Sequence, residues 1–457
     1  MGNRHHPEAR GNRSGKLYAA TFTNHARDEW MSTSAAAAGS GRLERRLGVS
    51  DAVVIGLGAM IGAGVFSALA PAATAAGSGL LPGLAVAAVV AYCNATASAR
   101  LAARYPQSGG TYVYGRERLG DFWGYLAGWS FVVGKTASCA AMALTVGSYV
   151  WPGQAHAVAV AAVVLLTAVN YAGVQKSAWL TRAIVIVVLV VLAAVVTACL
   201  TGGSADAARL DVGSDATFGG TLQAAGLLFF AFAGYARIAT LGEEVRDPQR
   251  VIPRAIPLAL GITLVVYAAV AVAVLAVLGP GLLAGSAAPL ADAVRTAGLP
   301  ELAPVVRAGA AIAALGSLLA LILGVSRTTL AMARDRHLPH ALSAVHPRFA
   351  VPHRAEVAVG LVVAVLAATA DVRGAIGFSS FGVLVYYAVA NTSAWTLRPD
   401  EGRPPRIVPV VGLVGCLGLA FALPPTSVLA GAAVIAVGAA AYGLRKGFTR
   451  GREAGPM

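Results

Sequence analysis

Charge is what this chain has least of. Only 12% of its 457 residues are Asp, Glu, Lys or Arg, against about 25% in a soluble domain. Hydrophobic residues make up 57%, and the mean hydropathy is +0.69. An ordinary soluble globular protein is excluded, and a polytopic membrane protein is indicated. Acids are the scarcer sign, 21 against 35 Lys and Arg, and almost none fall within apolar stretches. A membrane enzyme would need acids, histidines or a nucleophile at membrane depth, so that class is disfavoured. There is no GxxxxGK[ST] loop, which argues against an ATP-driven pump in this chain. The four cysteines, Cys93, Cys139, Cys199 and Cys416, lie in apolar stretches without a CxxC or a nearby His. They read as small buried hydrophobes rather than metal ligands or disulfide partners, and no metal or cofactor is expected. No apolar core stands near the start, so no cleavable signal peptide is expected. Residues 1–45 are polar, basic and rich in Gly, Ser and Ala, the composition of a disordered cytoplasmic tail, with Met31 as an alternative start.

What is present is a succession of apolar runs. Taking about 20 residues per crossing, they predict twelve spans near 51–71, 79–103, 121–150, 157–174, 179–200, 219–241, 255–279, 305–332, 355–370, 376–396, 407–422 and 426–444. The short ones are 157–174, 355–370 and 407–422. With the N-terminus inside, one set of loops collects Arg100, Arg104, Arg116, Arg118, Arg246, Arg250, Arg334 and Arg336, among others. The opposite loops hold only Arg209, Arg295, Arg307 and Arg373. By the positive-inside rule both termini are cytoplasmic. The net charge of +14 is therefore topology, and no nucleic-acid partner is expected.

Two of the spans are poor helices. Val53 to Phe66, VVIGLGAMIGAGVF, has Gly56, Gly58, Gly62 and Gly64, and Gly costs roughly 1 kcal/mol relative to Ala in a helix interior. In the sixth span, FFAFAGYARIATLGEEVRDPQR, the stretch Ala231–Tyr235 around Gly234 is the weak point. A break at membrane depth must face protein, water or a ligand. The two lie five spans apart, an odd number, so the second set of five is inverted relative to the first. That is the pattern of an inverted-repeat carrier with a midplane site. The bland alternative is glycine that merely lets helices pack closely. Lys135 stands near the middle of the third span, as a titrating cation or as a donor to backbone carbonyls. A channel's continuous polar stripe is missing, and neither tail is long enough to suggest a sensor domain. The run RTTLAMARDRHLPHALSAVHPRF after span eight has no metal-ligand spacing. The polar loop RYPQSGGTYVYGRERLGDFWG is expected to lie along the inner mouth.

GAMIGAGVF in the first span, YPQSGGTYVY after the second, FFAFAGYARIATLGEEVRDPQRVIPRAI around the sixth and AMARDRHLP after the eighth together resemble the amino acid permeases of the amino acid–polyamine–organocation superfamily. The likeness covers about residues 45–400. It implies an all-α, five-plus-five inverted-repeat fold with helices 1 and 6 broken: a core at 46–396, with repeats at 46–200 and 219–396, followed by peripheral helices 11 and 12 and a basic cytoplasmic tail at 397–457. It further implies that Gly62, Ala63 and Gly64, with Ile61 beside them, present backbone N–H groups to a substrate carboxylate. Phe230, Ala231, Phe232, Ala233 and Gly234 would offer carbonyls to its α-ammonium, with aromatic side chains closing over it. Several relatives carry a Lys in span five; Val188 stands there here, so that role does not transfer, and Lys135 is the substitute candidate for coupling. Arg237, just past the sixth-span break, is a weaker coupling candidate and is expected to pair with Glu243 or Glu244. The implied function is secondary active transport of amino acids by alternating access, as proton-coupled symport or exchange, in a multi-pass protein of the cytoplasmic membrane. The alternatives are a polyamine or organic-amine carrier on the same fold, or a non-transporting sensor.

Overall fold

In the computed structural model the described residues are Gly2, 47–107, 109–173, 178–242, 244–349 and 351–453. Apart from Gly2, the expected tail at 1–45 lies outside them, as does Glu243. The described residues from 47 onward group into one compact unit. Among the described residues the structure is helical throughout, with no strand beyond a single bridge between Leu47 and Val245. Lipid offers no hydrogen bonds, so a chain this apolar satisfies its backbone locally, in helices.

The first span is in three pieces, α1 (Val49–Met60), α2 (Ala63–Ser67) and α3 (Leu69–Ala76). It is followed by α4 (Leu80–Arg104), α5 (Thr111–Leu119), α6 (Asp121–Val150), α7 (Ala155–Tyr171) and α8 (Ala178–Thr201). The sixth span is α9 (Phe218–Phe232), a 3-10 turn at Ala233–Tyr235, and the one-turn α10 (Ala236–Ala239). Then come α11 (Pro248–Gly285), α12 (Pro289–Thr296), α13 (Ala303–Arg334), α14 (His353–Thr369), α15 (Val372–Trp395), α16 (Ile407–Ala422) and α17 (Pro425–Glu453).

Each of the twelve expected spans corresponds to a helix or a broken helix. Ten segments are long and apolar enough to cross a membrane by themselves. The other two, α14 and α16, have 17 and 16 residues, which at 1.5 Å per residue reach about 25 Å. Two stretches that read as loops are helical. The prolines after the sixth span do not delay α11, because Pro248 takes its first helical position, where the missing N–H is not needed. Within the polar loop after α4, Tyr112, Val113 and Tyr114 are buried, and their burial holds α5 in place. The core is formed by the first span, α6, α9 and α15, while α7 and α17 turn most of their surface outward.

The long helices α6 and α15 cross at close quarters. A Cβ on Gly134 would stand 3.2 Å from the Gly382 Cα, and one on Gly382 would stand 2.9 Å from the Gly134 Cα. One turn along, the Ser138 and Ser379 hydroxyls share a 2.5 Å hydrogen bond. In lipid such small-residue contact replaces the hydrophobic effect as the source of helix association. Gly134→Leu should therefore lower the thermal unfolding midpoint of the detergent-solubilised protein, by the equivalent of about 1–3 kcal/mol of overpacking. An unchanged midpoint would show that this contact does not hold α6 in place.

Candidate functional site

The first break is a two-residue interruption. The Ile61 N–H still bonds the Leu57 carbonyl at 2.7 Å, and the Gly62 N–H folds back to the Met60 carbonyl at 2.8 Å. Gly62 (φ −115°, ψ −136°) then redirects the chain into α2, whose first turn no side chain caps. The leading N–H groups of a helix have no partner within it and point back past its start. Here that means the N–H groups around Ala63 and Gly64, both buried. Free donors and the positive end of the helix dipole suit an anionic group such as a carboxylate. The second break is gentler: α9 tightens into the 3-10 turn Ala233–Tyr235 before α10.

The structure packs the two breaks against each other, through Gly64 on Ala231 and Gly234 on Ala59. A Cβ on Gly64 would meet the Ala231 Cα at 2.6 Å and its Cβ at 2.7 Å, and one on Gly234 would run into the Ala59 carbonyl. A Cβ on Gly62 would displace the Ser317 hydroxyl of α13. These three glycines are thus required by close approach as well as by the interruption. Ile61, Ala63, Phe230, Ala231, Phe232 and Ala233 are buried, while Gly234 is half-buried.

Three side chains mend the broken backbone. The Tyr267 hydroxyl of α11 straddles the carbonyls of Met60 (2.6 Å) and Ala231 (3.1 Å), tying one break to the other. The Ser317 hydroxyl donates to the Gly58 carbonyl at 3.3 Å. Lys135 is buried, and its Nζ donates to the Ala233 carbonyl at 3.2 Å. Two carbonyls expected to receive an ammonium, those of Ala231 and Ala233, are therefore already engaged. Arg237 bonds the Thr240 hydroxyl at 3.4 Å, and Glu244 acts on it only at longer range, so the expected pairing with Glu244 is not formed. Its other expected partner, Glu243, is outside the described residues. Val188 is fully buried on α8.

The two ends of the site differ. On the face where α1 begins, a set of hydrogen bonds and ion pairs ties the segments together. Leu47 exchanges backbone hydrogen bonds with Glu244 (3.0 Å) and Arg246 (3.1 Å) beyond α10. Asp51 pairs with Arg182 of α8, and the Tyr386 hydroxyl accepts from the Thr111 N–H at 3.0 Å. Arg116 of α5 reaches Asp335 at 3.2 Å, and Arg118 reaches Glu401 at 2.6 Å. The Arg118 side chain, helped by the Arg398 N–H, holds the Glu401 carboxyl down to about 2, so this tie persists at neutral pH. On the opposite face a cavity of about 300 Å³ is lined by Ser67, Thr74, Thr145, Tyr149 and Arg373, among others. Ser67 is one turn beyond Ala63 and donates to its carbonyl at 2.8 Å.

Tyr267 and Ser317 were not singled out from the sequence. Tyr267 had a visible signal, a lone hydroxyl in LVVYAAVAV at membrane depth. Ser317 had none, because small hydroxyls are common where membrane helices pack.

Helices broken in the first and sixth spans, with their interruptions packed together in a buried core, define a multi-pass membrane protein of transporter type. The chain belongs to the amino acid permease family, whose model matches residues 47–441. It is 79% identical to an uncharacterized transporter of Mycobacterium tuberculosis over 408 residues, 89% of this chain and 93% of the relative. It is 26% identical to a branched-chain amino acid permease of Bacillus subtilis, over 85% of this chain and 88% of that one. A methylthioribose transporter of Bacillus subtilis is 29% identical, over 90% and 95% of the respective chains.

Tyr267→Phe removes the donor shared by two buried carbonyls and should cost about 1–3 kcal/mol, measured as a lower unfolding midpoint. A midpoint equal to wild type would mean that the two breaks are held together by other contacts.

Proposed function

We propose that this protein is a secondary active transporter of amino acids in the cytoplasmic membrane, working by alternating access with both termini cytoplasmic. The observation that carries this is the juxtaposition of the uncapped start of α2 with the carbonyl-bearing turn after α9. One offers donors for a carboxylate and the other acceptors for an ammonium, a matched pair for a zwitterion. Family membership supports the same reading, as does the spacing of the two breaks, which fits repeats at 46–200 and 219–396. With the basic face taken as cytoplasmic, the sealed inner side and the cavity on the outer side correspond to an outward-facing stage of the cycle. Substrate would approach through the cavity beside Ser67 and meet the N–H groups of Ala63 and Gly64.

In this scheme Lys135 holds the place of the substrate's cation. Its ammonium rests on the Ala233 carbonyl in the empty protein, where the α-ammonium is expected to bind. Two cations in one poorly solvated site repel strongly, so an arriving ammonium displaces Lys135 or drives off its proton. Loss of the Lys135 proton would link substrate binding to protonation, which favours proton coupling over sodium. The same repulsion favours neutral or anionic side chains over cationic ones.

Counterflow of radiolabelled amino acids in proteoliposomes tests the transport activity. Saturable counterflow that needs no sodium and responds to a proton gradient is the expected result. No counterflow across an amino acid panel, with signal only for an amine or another solute, would contradict it. Lys135→Ala should flatten the pH dependence of uptake, and an unchanged pH profile would remove Lys135 from coupling. Gly64→Leu should abolish uptake, together with some loss of stability because of the Ala231 contact, whereas normal uptake would exclude a carboxylate seat there.

A further inference from the structure

Among the described residues, Lys135 and Glu356 are the only charged side chains in the buried set. Lys135 has a partner. Glu356, in the first turn of α14, is 0% exposed, and neither of its carboxylate oxygens receives a hydrogen bond. An ionised carboxylate so placed is strongly disfavoured, and a buried acid without donors relieves this by holding a proton. The transport scheme above makes no use of it.

The described elements packed on α14 carry several charged and titratable groups. From α13 comes Arg327, which is exposed and supplies the charge acting on Glu356. The two form no ion pair here. Tyr171, at the end of α7, meets the rings of His346 and His353 at 5.5 and 6.2 Å. His353 Nδ1 is buried without a partner, and the His346 Nδ1 accepts from the Arg348 and Phe349 N–H groups. Arg348 stacks over Phe349, and Arg354 turns to the Ala341 carbonyl. The 3-10 turn before α14 brings His340, bonded within its own turn to Ser343. Along α6, the stretch from Trp129 to Thr136 faces α14 across a shared cleft, and its one charge is Lys135, engaged at Ala233. Among the described residues, Arg327 is thus the cation that acts on Glu356 and can serve as its counter-ion. Arg327 also acts on Arg237, just beyond the sixth-span break.

We propose that Glu356 is a proton-carrying site of this permease, neutral while the basic face is sealed and ionised against Arg327 when that face opens. The proposal rests on the transporter reading and adds to it a residue and a release step. On opening, water reaches the first turn of α14, and the carboxyl O–H breaks heterolytically. The proton passes to that water, and the carboxylate left behind takes the Arg327 guanidinium as counter-ion. Reprotonation reverses both changes and restores the sealed arrangement.

The test uses the full-length protein in proteoliposomes, comparing wild type with Glu356→Gln, a shape-matched stand-in for the neutral acid, and Glu356→Asp. Glu356→Gln should keep counterflow but lose accumulation driven by a proton gradient, and Glu356→Asp should restore part of that accumulation. Infrared spectra of the purified protein should show a protonated-carboxyl stretch at neutral pH that is missing from Glu356→Gln. The proposal is overturned if Glu356→Gln accumulates substrate as wild type does, or if the protonated-carboxyl band is the same in both proteins. The infrared comparison needs no transport activity. A wild type without counterflow would therefore contradict the transporter reading, while the band would still decide whether Glu356 holds a proton.

Discussion

Backbone hydrogen bonding in a medium without water is the constraint on which the rest of this structure depends. A helix broken in lipid exposes donors and acceptors that cost several kcal/mol each if left alone. Here the chain is interrupted at Ile61–Gly62 and again at Ala233–Tyr235, and the exposed groups are answered one by one. Tyr267 serves Met60 and Ala231, Ser317 serves Gly58, and Lys135 serves Ala233. What stays open is the start of α2, uncapped by any side chain. The empty protein is therefore satisfied on its acceptor side and unsatisfied on its donor side, which is the asymmetry expected of a site waiting for an anion.

Close packing and substrate chemistry act through the same residues. Gly64 lies against Ala231 so tightly that even one methyl group would force the two spans apart. The contact that keeps the breaks adjacent is thus the same one that aims the α2 amides across the gap. It follows that glycine at these positions does not by itself distinguish a binding site from a packing motif. Tyr267 and Lys135 are more informative, because a helix crossing needs neither a phenol nor an ammonium.

Much of the architecture was legible because membrane spans are written in long apolar runs, and lengths came within a few residues for α4, α6 and α16. Gly62, Gly64 and Gly234 marked the breaks through their spacing. The side chains that repair those breaks were harder to see. Tyr267 and Ser317 come from spans with no other sign of function, and their relevance appears only when α11 and α13 pack beside the first span. Glu356 escaped notice although it lay inside the span expected at 355–370, because an acid at the edge of a span reads as a helix-start residue facing water, and its burial appears only once the neighbouring helices are packed. Of the two acids expected to pair with Arg237, Glu244 does not do so, for a related reason. Beyond Ala239 the chain leaves the helix, so sequence spacing no longer says which acid lies on the same face.

The central claim is that the α2 amides and the turn after α9 hold one substrate between them. Solid-state NMR of the protein in bilayers, with 15N at Ala63, Gly64 and the Lys135 side chain and 13C at the Ala233 carbonyl, addresses it directly. Added substrate should shift the Ala63 and Gly64 amides saturably and break the Lys135–Ala233 contact over the same concentration range. Resonances that stay unmoved in a preparation active in counterflow would place the substrate elsewhere and contradict the account.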